Sequence, residues 1–320
     1  MRVAIIGGTG HIGSFLTPRL FEAGHSVICI SRGLKEPYRQ HAAWQLIEWV
    51  EMDRAVEEEA GRFGERVAGL DADVVIDLTC YQLASAEQLV EALRGNTGHL
   101  LHCGTIWVHG PSVEVPTTEA EPRTAFGDYG ERKAAIEAFL LREARRSALP
   151  VTILHPGHLV GPGWAPVNPA GNFNTEVFSR LLQGSPLQLP NIGMETLHHV
   201  HADDVAQCFQ QAIERRGVAI GESFHVVSPA AVTLRGYAER VSAWFGRAAQ
   251  LEWVPWEEWR RKVTARDAAV TWDHIAHSPN CSIAKARMLL GYEPRYSSLE
   301  AVRESLDWLI AQGAVYTGTV

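Results

Sequence analysis

The chain has 320 residues, of which 46% are hydrophobic and 21% charged, with a formal net charge of −8 at pH 7. This composition is typical of a globular protein with one large domain or two smaller ones. The acidic balance argues against binding to a nucleic-acid backbone, which usually requires a surplus of basic residues. No run approaches the roughly 18 apolar residues of a membrane-spanning helix, so we expect no membrane segment.

The N-terminus and the cysteines predict a cytoplasmic protein. Only four apolar residues, Val3–Ile6, precede a glycine cluster, and this run is too short for a signal peptide. The five cysteines are scattered and form no Cys-x-x-Cys pair. Such usage is typical of reduced thiols, and it argues against a disulfide framework or a cysteine-rich zinc site.

The first half of the chain alternates short β-branched runs with amphipathic stretches, at the spacing of βαβ units. Near-continuous apolar strands separated by helices predict a parallel sheet that is covered on both faces. The predicted strands are Val3–Ile6, Val27–Ile30, Leu46–Val50, Val74–Leu78, Leu100–Cys103 and Val151–Leu154, and the predicted helices are His11–Ala23, Ala55–Ala68, Ser85–Arg94 and Tyr129–Arg146.

The second half begins with an irregular segment rich in proline and glycine. We predict a domain over residues 1–155 and a smaller, mostly helical lobe over 156–320, interleaved with the last strands of the sheet. Trp253, Trp256 and Trp259 lie three residues apart, which predicts one helical face packed inside that lobe. The predicted elements of the lobe are helices over Glu176–Gln183, Asp203–Arg215, Leu234–Phe245 and Leu299–Ala311 and a strand over Phe224–Val227.

The segment GGTGHIG lies between the first predicted strand and the first predicted helix. Such a turn lets the backbone approach a pyrophosphate, which then lies at the positive end of the helix. Since strand, glycines and helix follow in this order, the segment predicts a dinucleotide site in a Rossmann-type, doubly wound α/β fold. The cofactor-binding candidates of this loop are Gly7, Thr9, Gly10, His11, Ile12 and Gly13.

The end of the second strand favours NADP over NAD. An NAD site usually offers a carboxylate about 20 residues after the glycine loop for the ribose 2′-hydroxyl. Here Ser31 occupies that place and Arg32 follows it, and a hydroxyl with a guanidinium suits a 2′-phosphate. The alternative is that Arg32 stacks on the adenine of NAD. Asp53 is placed to meet the adenine amino group, or else is a solvated loop acid.

Tyr129 and Lys133 form a Tyr-x-x-x-Lys pair in a stretch that continues as a helix. Residues four apart share a helical face, so the ammonium of Lys133 is expected near the phenol of Tyr129. The pKa of a free tyrosine is near 10, and a nearby positive charge is expected to lower it. We predict that Tyr129 exchanges a proton with a substrate while a nicotinamide exchanges hydride.

In its ordered motifs the chain resembles the extended short-chain dehydrogenase/reductase superfamily, in its NAD(P)-dependent epimerase/dehydratase branch. The matches extend across nearly the whole chain. They are the glycine loop, Asp73–Asp77, Thr105–Gly110, Tyr129-x-x-x-Lys133, His155-Pro156 with Gly161-Pro162, Val200–Val205 and Leu290–Pro294.

The resemblance implies roles for several residues. Thr105 stands where the family's last serine positions the substrate oxygen, Lys133 would also bind the nicotinamide ribose, and Pro156 would begin the loop that lines the nicotinamide. We also assign Leu78 and Thr79, at the end of the fourth strand, to the cofactor site. The family commonly forms homodimers through a four-helix bundle, which the stretches 85–94 and 129–146 would supply here.

Departures from the family pattern concern the substrate. Leu197 stands where many nucleotide-sugar epimerases have an arginine for the diphosphate, and His155 replaces another common arginine. An anionic diphosphate normally recruits Arg or Lys, so the nucleotide-sugar hypothesis is weakened, although Arg180, Arg235 or Arg261 would compensate from elsewhere. The substrate-binding candidates are Trp107, a possible apolar platform, His158, which replaces a common asparagine, and Asn174.

The residues His198, His199, His201, Asp203 and Asp204 have the composition of a metal site. Strand alternation places the first of these histidines on the opposite face from the other two. The resemblance implies a structural role for the turn, with carboxylates at the start of the next helix. We therefore predict no metal.

Together these patterns predict an NAD(P)-dependent oxidoreductase that acts on a secondary alcohol or carbonyl of a small, sugar-like substrate. Tyr129 would be the acid/base, with Thr105 and Lys133 beside it. One alternative is a nucleotide-sugar 4-epimerase or dehydratase that retains its cofactor. Another is a non-catalytic NADP sensor or an RNA-associated member of the superfamily.

Overall fold

The computed structural model describes residues 1–34, 36–146 and 148–316. The strands are β1 (Arg2–Ile6), β2 (Ser26–Ser31), β3 (Glu48–Glu51), β4 (Val74–Asp77), β5 (His99–Cys103), β6 (Val151–Pro156), β7 (His158–Val160), β8 (Leu187–Pro190), β9 (Thr196–Leu197), β10 (His199–His201), β11 (Ser223–Val226), β12 (Val232–Thr233) and β13 (Leu251–Val254). The helices are α1 (Gly13–Glu22), α2 (Arg54–Glu59), α3 (Phe63–Ala68), α4 (Leu83–Leu93), α5 (Gly127–Arg145), α6 (Glu176–Gln183), α7 (Ala202–Glu214), α8 (Arg216–Ala219), α9 (Leu234–Trp244), α10 (Trp256–Trp259), α11 (Ala265–His277), α12 (Ala284–Leu290) and α13 (Ser298–Ala311).

Seven strands form the central sheet in the order β11-β6-β5-β4-β1-β2-β3, with every pair parallel. The strand order reverses beside β1, which is the arrangement of a doubly wound sheet. Separate apolar cores cover its two faces. The predicted Rossmann-type α/β fold is therefore confirmed.

The strand register brings distant parts of the chain to one edge of the sheet. Ile6 at the end of β1 lies opposite Ile30 of β2 and Asp77 of β4. Cys103 at the end of β5 lies opposite Leu154 of β6. The loops that follow these strands therefore meet at the carboxyl edge, where open α/β sheets bind their ligands.

Two predictions about helices are wrong. The predicted helix over 55–68 is two short helices, α2 and α3, because the chain turns at Gly61 with φ +70°, a conformation that ends a helix. Trp253, Trp256 and Trp259 do not share a helical face. Trp253 belongs to strand β13 and is 39% exposed, whereas Trp259 in α10 is buried in the core of the lobe.

The lobe has an apolar core of its own, built from helices α6, α9 and α13 and strand β8. Helix α7 and strand β11 come late in the chain, yet they pack with the first half, α7 against α1 and β11 beside β6. This packing agrees with an interleaved lobe, and the boundary at 155/156 stays a prediction. Among the described residues, no helix is both long and apolar enough to cross a membrane.

Candidate active site

The glycine loop between β1 and α1 has a backbone that excludes side chains at two positions. Gly7 has φ +86°, and a Cβ there would lie 2.5 Å from Cγ2 of Thr79. A Cβ on Gly13 would lie 2.4 Å from the carbonyl oxygen of Gly8. Gly10 is exposed, and a Cβ there would meet only the oxygen of Gly7. The loop therefore offers bare backbone at the positive end of α1, which fits a pyrophosphate.

His11 of this loop is buried, and a tyrosine that sequence reasoning missed lies against it. Tyr38 hydrogen-bonds to Nδ1 of His11 and packs on Gly163, while Nε2 of His11 contacts the carbonyl oxygen of Val160 at 3.1 Å. The His11 ring also stacks on Trp164, with 5.0 Å between ring centroids. Burial lowers the pKa of His11 to about 3, so this imidazole is neutral beside the loop.

The other loop candidates support the backbone of the glycine turn. Ile12 is the N-cap residue of α1 and is buried. The carbonyl oxygen of Thr9 accepts a hydrogen bond from Ser14 Oγ at 3.4 Å. At the end of β4, Leu78 donates from its backbone to Ile6, and Thr79 donates from its backbone to Asp77. The hydrogen bond from Leu78 to Ile6 joins the end of β4 to the end of β1.

Ser31 lines a cavity of about 530 Å³ at the β2–β3 end of the sheet. Arg32 is exposed and forms no ion pair with any residue that the structure describes. Asp53 caps α2, where its Oδ1 accepts from the backbone of Ala55 at 3.0 Å. The carboxylates Glu36 and Glu51 and the guanidinium of Arg39 line the same cavity as Ser31.

Tyr129 lies in the first turn of α5, and its phenol lies beside the side chain of Thr105. Thr105 follows β5, where its hydroxyl caps a short 3₁₀ helix, Ile106–His109. The ring of Trp107 meets Tyr129 edge to face, with centroids 5.8 Å apart. The structure therefore brings these three predicted residues together at the carboxyl edge of the sheet.

Lys133 is 3% exposed and lies one turn after Tyr129 on α5. Its ammonium donates to the backbone oxygens of Cys80 and Cys103, at 2.7 and 2.8 Å. The net change in the pKa of Tyr129 is opposite to the expected lowering, because burial raises it. Burial also lowers the pKa of Lys133 itself.

A buried chain of polar groups supports Thr105 from behind. The backbone N–H of Thr105 donates to Nδ1 of His155 at 2.9 Å, and Nε2 of His155 lies 3.1 Å from Glu137. Arg123 donates to both oxygens of Glu137, from Nε at 3.2 and 3.1 Å. A Cβ on Gly104 would lie 2.3 Å from Nδ1 of His155, so the imidazole lies directly against the backbone before Thr105.

Helix α11, which sequence reasoning missed, brings two histidines to Trp107. His277 stacks between Trp107 and Phe126, with centroids 4.2 and 4.0 Å away. His274 meets Trp107 edge to face at 5.2 Å and lies 5.0 Å from His158. The predicted platform Trp107 is therefore surrounded by imidazoles. The amphipathic spacing of 265–277 was the available sequence signal for this helix.

The remaining candidates take separate places. Pro156 ends β6 opposite Val226, at the carboxyl edge. Asn174 caps the first turn of α6, where its Oδ1 accepts from Glu176 at 3.1 Å, and it lines a second cavity of about 520 Å³ inside the lobe. Leu197 is buried in the core of the lobe. Two cationic side chains line that second cavity, and each forms an ion pair. Nε of Arg180 lies 3.5 Å from a carboxylate oxygen of Glu176, and Nζ of Lys262 lies 2.6 Å from one of Glu258.

Both aspartates of 198–204 and two of its three histidines have structural hydrogen-bond partners, whereas neither ring nitrogen of His199 has one among the described residues. His198 accepts from the backbone of Cys281 and hydrogen-bonds to Ser228, and His201 caps α7 by accepting from Asp203. Both aspartates of the turn lie in the first turn of α7. This arrangement agrees with the structural role that was expected for the turn.

Asp77, Cys80 and His102 lie close enough together to resemble a metal site, with one ligand atom of each within 4.8 Å of the others. However, Arg54 donates to both oxygens of Asp77, at 2.8 and 2.9 Å. Burial also raises the pKa of the Cys80 thiol to about 12. A cation already neutralises the carboxylate and the thiol stays protonated, so this donor set does not suit a metal.

The Rossmann-type fold, with the glycine loop and the residues Thr105, Tyr129 and Lys133 at the carboxyl edge of its sheet, is that of a dinucleotide-dependent enzyme. Residues 3–226 match the model of the NAD dependent epimerase/dehydratase family. The chain belongs to this family and is an NAD(P)-dependent enzyme of the extended short-chain dehydrogenase/reductase type.

The chain is similar to several characterised proteins. It is 26% identical over 322 residues to 2′-dehydrokanamycin reductase of Streptomyces kanamyceticus, covering 98% of this chain and 86% of that protein. It is 24% identical over 318 residues to chloroplast stem-loop binding protein of 41 kDa b of Arabidopsis thaliana, covering 98% and 80%. The fold is similar to UDP-glucose 4-epimerase from Thermotoga maritima, solved with UDP-glucose, with a TM-score of 0.74, 20% identity, and 98% and 99% of the two chains covered.

Proposed function

We propose that this protein is a reductase that uses NADPH to reduce a carbonyl of a small, polyhydroxylated substrate, and that catalyses the reverse oxidation. The observation that carries the proposal is the Tyr129 phenol, which lies beside the side chain of Thr105 at the edge where the glycine loop lies. The relative named 2′-dehydrokanamycin reductase supports the choice of reaction.

In the proposed mechanism, Thr105 and Tyr129 hold the substrate oxygen between their hydroxyls. Because burial raises the pKa of Tyr129, the phenol carries its proton at neutral pH and donates it to the oxygen of a carbonyl that is being reduced. The nicotinamide supplies the hydride when the cofactor is bound. Lys133 holds the loops after β4 and β5 together through Cys80 and Cys103, and its ammonium stabilises the phenolate that remains.

The proposal favours an uncharged substrate over a nucleotide sugar. The arginine for a diphosphate is replaced by Leu197, which is buried, and the cations Arg180 and Lys262 of the lobe cavity each have a carboxylate partner. The diphosphate of a nucleotide sugar would have to compete with these carboxylates for the two cations. The net charge of −8 likewise supports a small-molecule substrate over RNA as the ligand.

Steady-state assay of NADPH oxidation with neutral sugar ketones tests the proposed reaction. We expect one NADPH to be consumed for each alcohol formed, because a reductase releases its cofactor after each turnover. A nucleotide-sugar epimerase would instead interconvert UDP-glucose and UDP-galactose with no net change in nicotinamide absorbance. Conversion of these nucleotide sugars, with no oxidation of NADPH by any neutral ketone, would contradict the proposal.

We further propose that Ser31 and Arg32 select NADP(H) over NAD(H), with Asp53, Leu78 and Thr79 at the adenosine half of the site. Arg32→Ala is expected to weaken NADPH binding by about 10- to 100-fold, since a hydrogen bond to a charged group contributes about 1.5–3 kcal/mol. NADH affinity should change by less than about threefold. The carboxylates Glu36 and Glu51 oppose a 2′-phosphate, so the variant should prefer NADH.

Titration of nucleotide-stripped protein, followed by quenching of tryptophan fluorescence, measures both affinities. Arg146→Ala is the matched control, because this exposed arginine follows α5 and lies before β6, at the opposite edge of the sheet. An equal loss of NADPH and NADH affinity in Arg32→Ala would show instead that the guanidinium stacks on the adenine.

The remaining features of the proposal concern the assembly. We propose a homodimer in which α4 and α5 of each subunit form a four-helix bundle, as the family resemblance implies. The reduced, buried cysteines support a cytoplasmic protein. The mass in solution tests the dimer.

A further inference from the structure

Two buried ring nitrogens beside the proposed catalytic residues have no hydrogen-bond partner in the part of the chain that the structure describes. These two, Nε2 of His158 and Nε2 of His277, belong to rings that pack against Trp107; the buried rings of His102 and His199 also have nitrogens without a partner among the described residues. The rings of His158 and His277 lie around Trp107, with centroids 6.3 and 4.2 Å from it, and Trp107 contacts Tyr129. A buried polar atom without a partner costs free energy, and in a native site it calls for a ligand or another explanation.

The hydrogen bonds of His158 determine which of its nitrogens carries the proton. Its Nδ1 lies 3.2 Å from the backbone nitrogen of His198, which is a donor. Nδ1 must therefore accept, and the neutral ring carries its hydrogen on Nε2. The unpartnered Nε2–H of His158 is consequently a hydrogen-bond donor.

His277 has the opposite tautomer. Its Nδ1 lies 2.6 Å from the carbonyl oxygen of Asp273, which only accepts. Nδ1 must therefore carry the hydrogen, and Nε2 of the neutral ring presents a lone pair. Burial lowers the pKa of both histidines, which keeps both rings neutral at pH 7. The two histidines packed against Trp107 thus present one donor and one acceptor.

We propose that His158 and His277 are specificity-determining residues, which bind a substrate through one group that accepts a hydrogen bond and one group that donates one. The substrate class is a ring with several hydroxyl groups, in which an ammonium group can replace the donor. A carboxylate or phosphate accepts from His158 but has nothing to donate to His277, where its charge meets a lone pair. This inference rests on the proposed reductase function, because it places the substrate against Trp107 and Tyr129.

The first experiment reads the imidazole nitrogens directly and requires no turnover. Nitrogen-15 NMR of the holoprotein with NADPH is expected to show Nε2–H on His158 and Nδ1–H on His277. Addition of glucose or glucosamine should shift both unpartnered nitrogens, whereas glucuronate, whose carboxylate accepts but does not donate, should shift only Nε2 of His158. The comparison of glucose with glucosamine distinguishes a hydroxyl donor from an ammonium donor.

The second experiment uses two substitutions of one residue in the ketone-reduction assay. His277→Phe keeps an aromatic ring between Trp107 and Phe126 but removes the acceptor, and is expected to raise KM about tenfold with little change in kcat. His277→Gln supplies an amide oxygen and should restore most of the loss. Both variants should bind NADPH like the unmodified protein, since His277 has no contact with the glycine loop.

Three NMR results would overturn the inference: a hydrogen on Nε2 of His277, shifts of both nitrogens with glucuronate as with glucose, or no shift with either glucose or glucosamine. In the kinetic assay, an unchanged KM in His277→Phe would overturn it. These results are distinguishable from a failure of the proposed function. If no ketone oxidises NADPH, the NMR measurement still decides whether this donor–acceptor pair binds a hydroxylated ring.

Discussion

Replacement of Tyr129 by phenylalanine is expected to lower kcat by about 10²- to 10⁴-fold, the usual contribution of a general acid. Phenylalanine keeps the ring that contacts Trp107 but removes the hydroxyl that lies beside Thr105. Only proton transfer and the alignment of the substrate oxygen are lost. The affinity for NADPH should stay unchanged, because the glycine loop and Lys133 keep their contacts.

The kinetic measurement is the rate of NADPH oxidation, with tryptophan quenching as the measure of nucleotide binding. Tyr237→Phe is the control, since this tyrosine is buried in the core of the lobe and its hydroxyl has no partner among the described residues. This control should retain its turnover. If Tyr129→Phe also retains turnover, then Tyr129 is not the acid, and the proposed mechanism is wrong.

Acid is expected to unfold the protein mainly by protonating its buried histidines. Burial lowers the pKa of twelve of the fourteen histidines. In six of them the pKa in the folded protein is about 3 or about 4. The unfolded chain binds protons on these side chains near pH 6.5, whereas the folded protein does not.

The sign of the effect follows from this difference. Stability is fully present above pH 6.5 and is lost as the pH falls towards the folded pKa values. Each of the six histidines contributes about 1.4 kcal/mol per pH unit, which sums to about 8 kcal/mol per pH unit near pH 5. Since a typical protein is stable by about 5–15 kcal/mol, we expect the unfolding midpoint between about pH 4 and pH 6.

Denaturant unfolding at several pH values, followed by circular dichroism, gives the free energy of unfolding and its slope. His99→Gln provides the specific test, because it removes one buried imidazole and should lower the proton uptake on unfolding at pH 5 by about one. Asp204 acts in the opposite direction, since burial raises its pKa to about 6, but it is a single group. A midpoint below pH 4, or a slope that His99→Gln leaves unchanged, would contradict this explanation.

Local patterns were sufficient for the sheet, the glycine loop and the Tyr–Lys pair. A strand, a glycine turn and a helix that follow one another fix the geometry of the loop within about 20 residues. Tyr129 and Lys133 lie one helical turn apart on α5 whatever surrounds them. The end of helix α2 before Gly61 and the position of Trp253 in strand β13 were not predictable in this way. Each depends on how a short segment packs against the rest of the protein.

The sequence by itself determined that this protein has a parallel Rossmann-type sheet, a dinucleotide loop and a Tyr–Lys pair, because those features follow from strand periodicity and from neighbours in the chain. The role of Thr105 was implied only by the family resemblance. The tertiary structure decided what surrounds these residues. It brings His277 of α11 onto Trp107 and places His155 and Glu137 behind Thr105. It also reverses the expected pKa change of Tyr129, because burial depends on contacts between residues that are far apart in the chain.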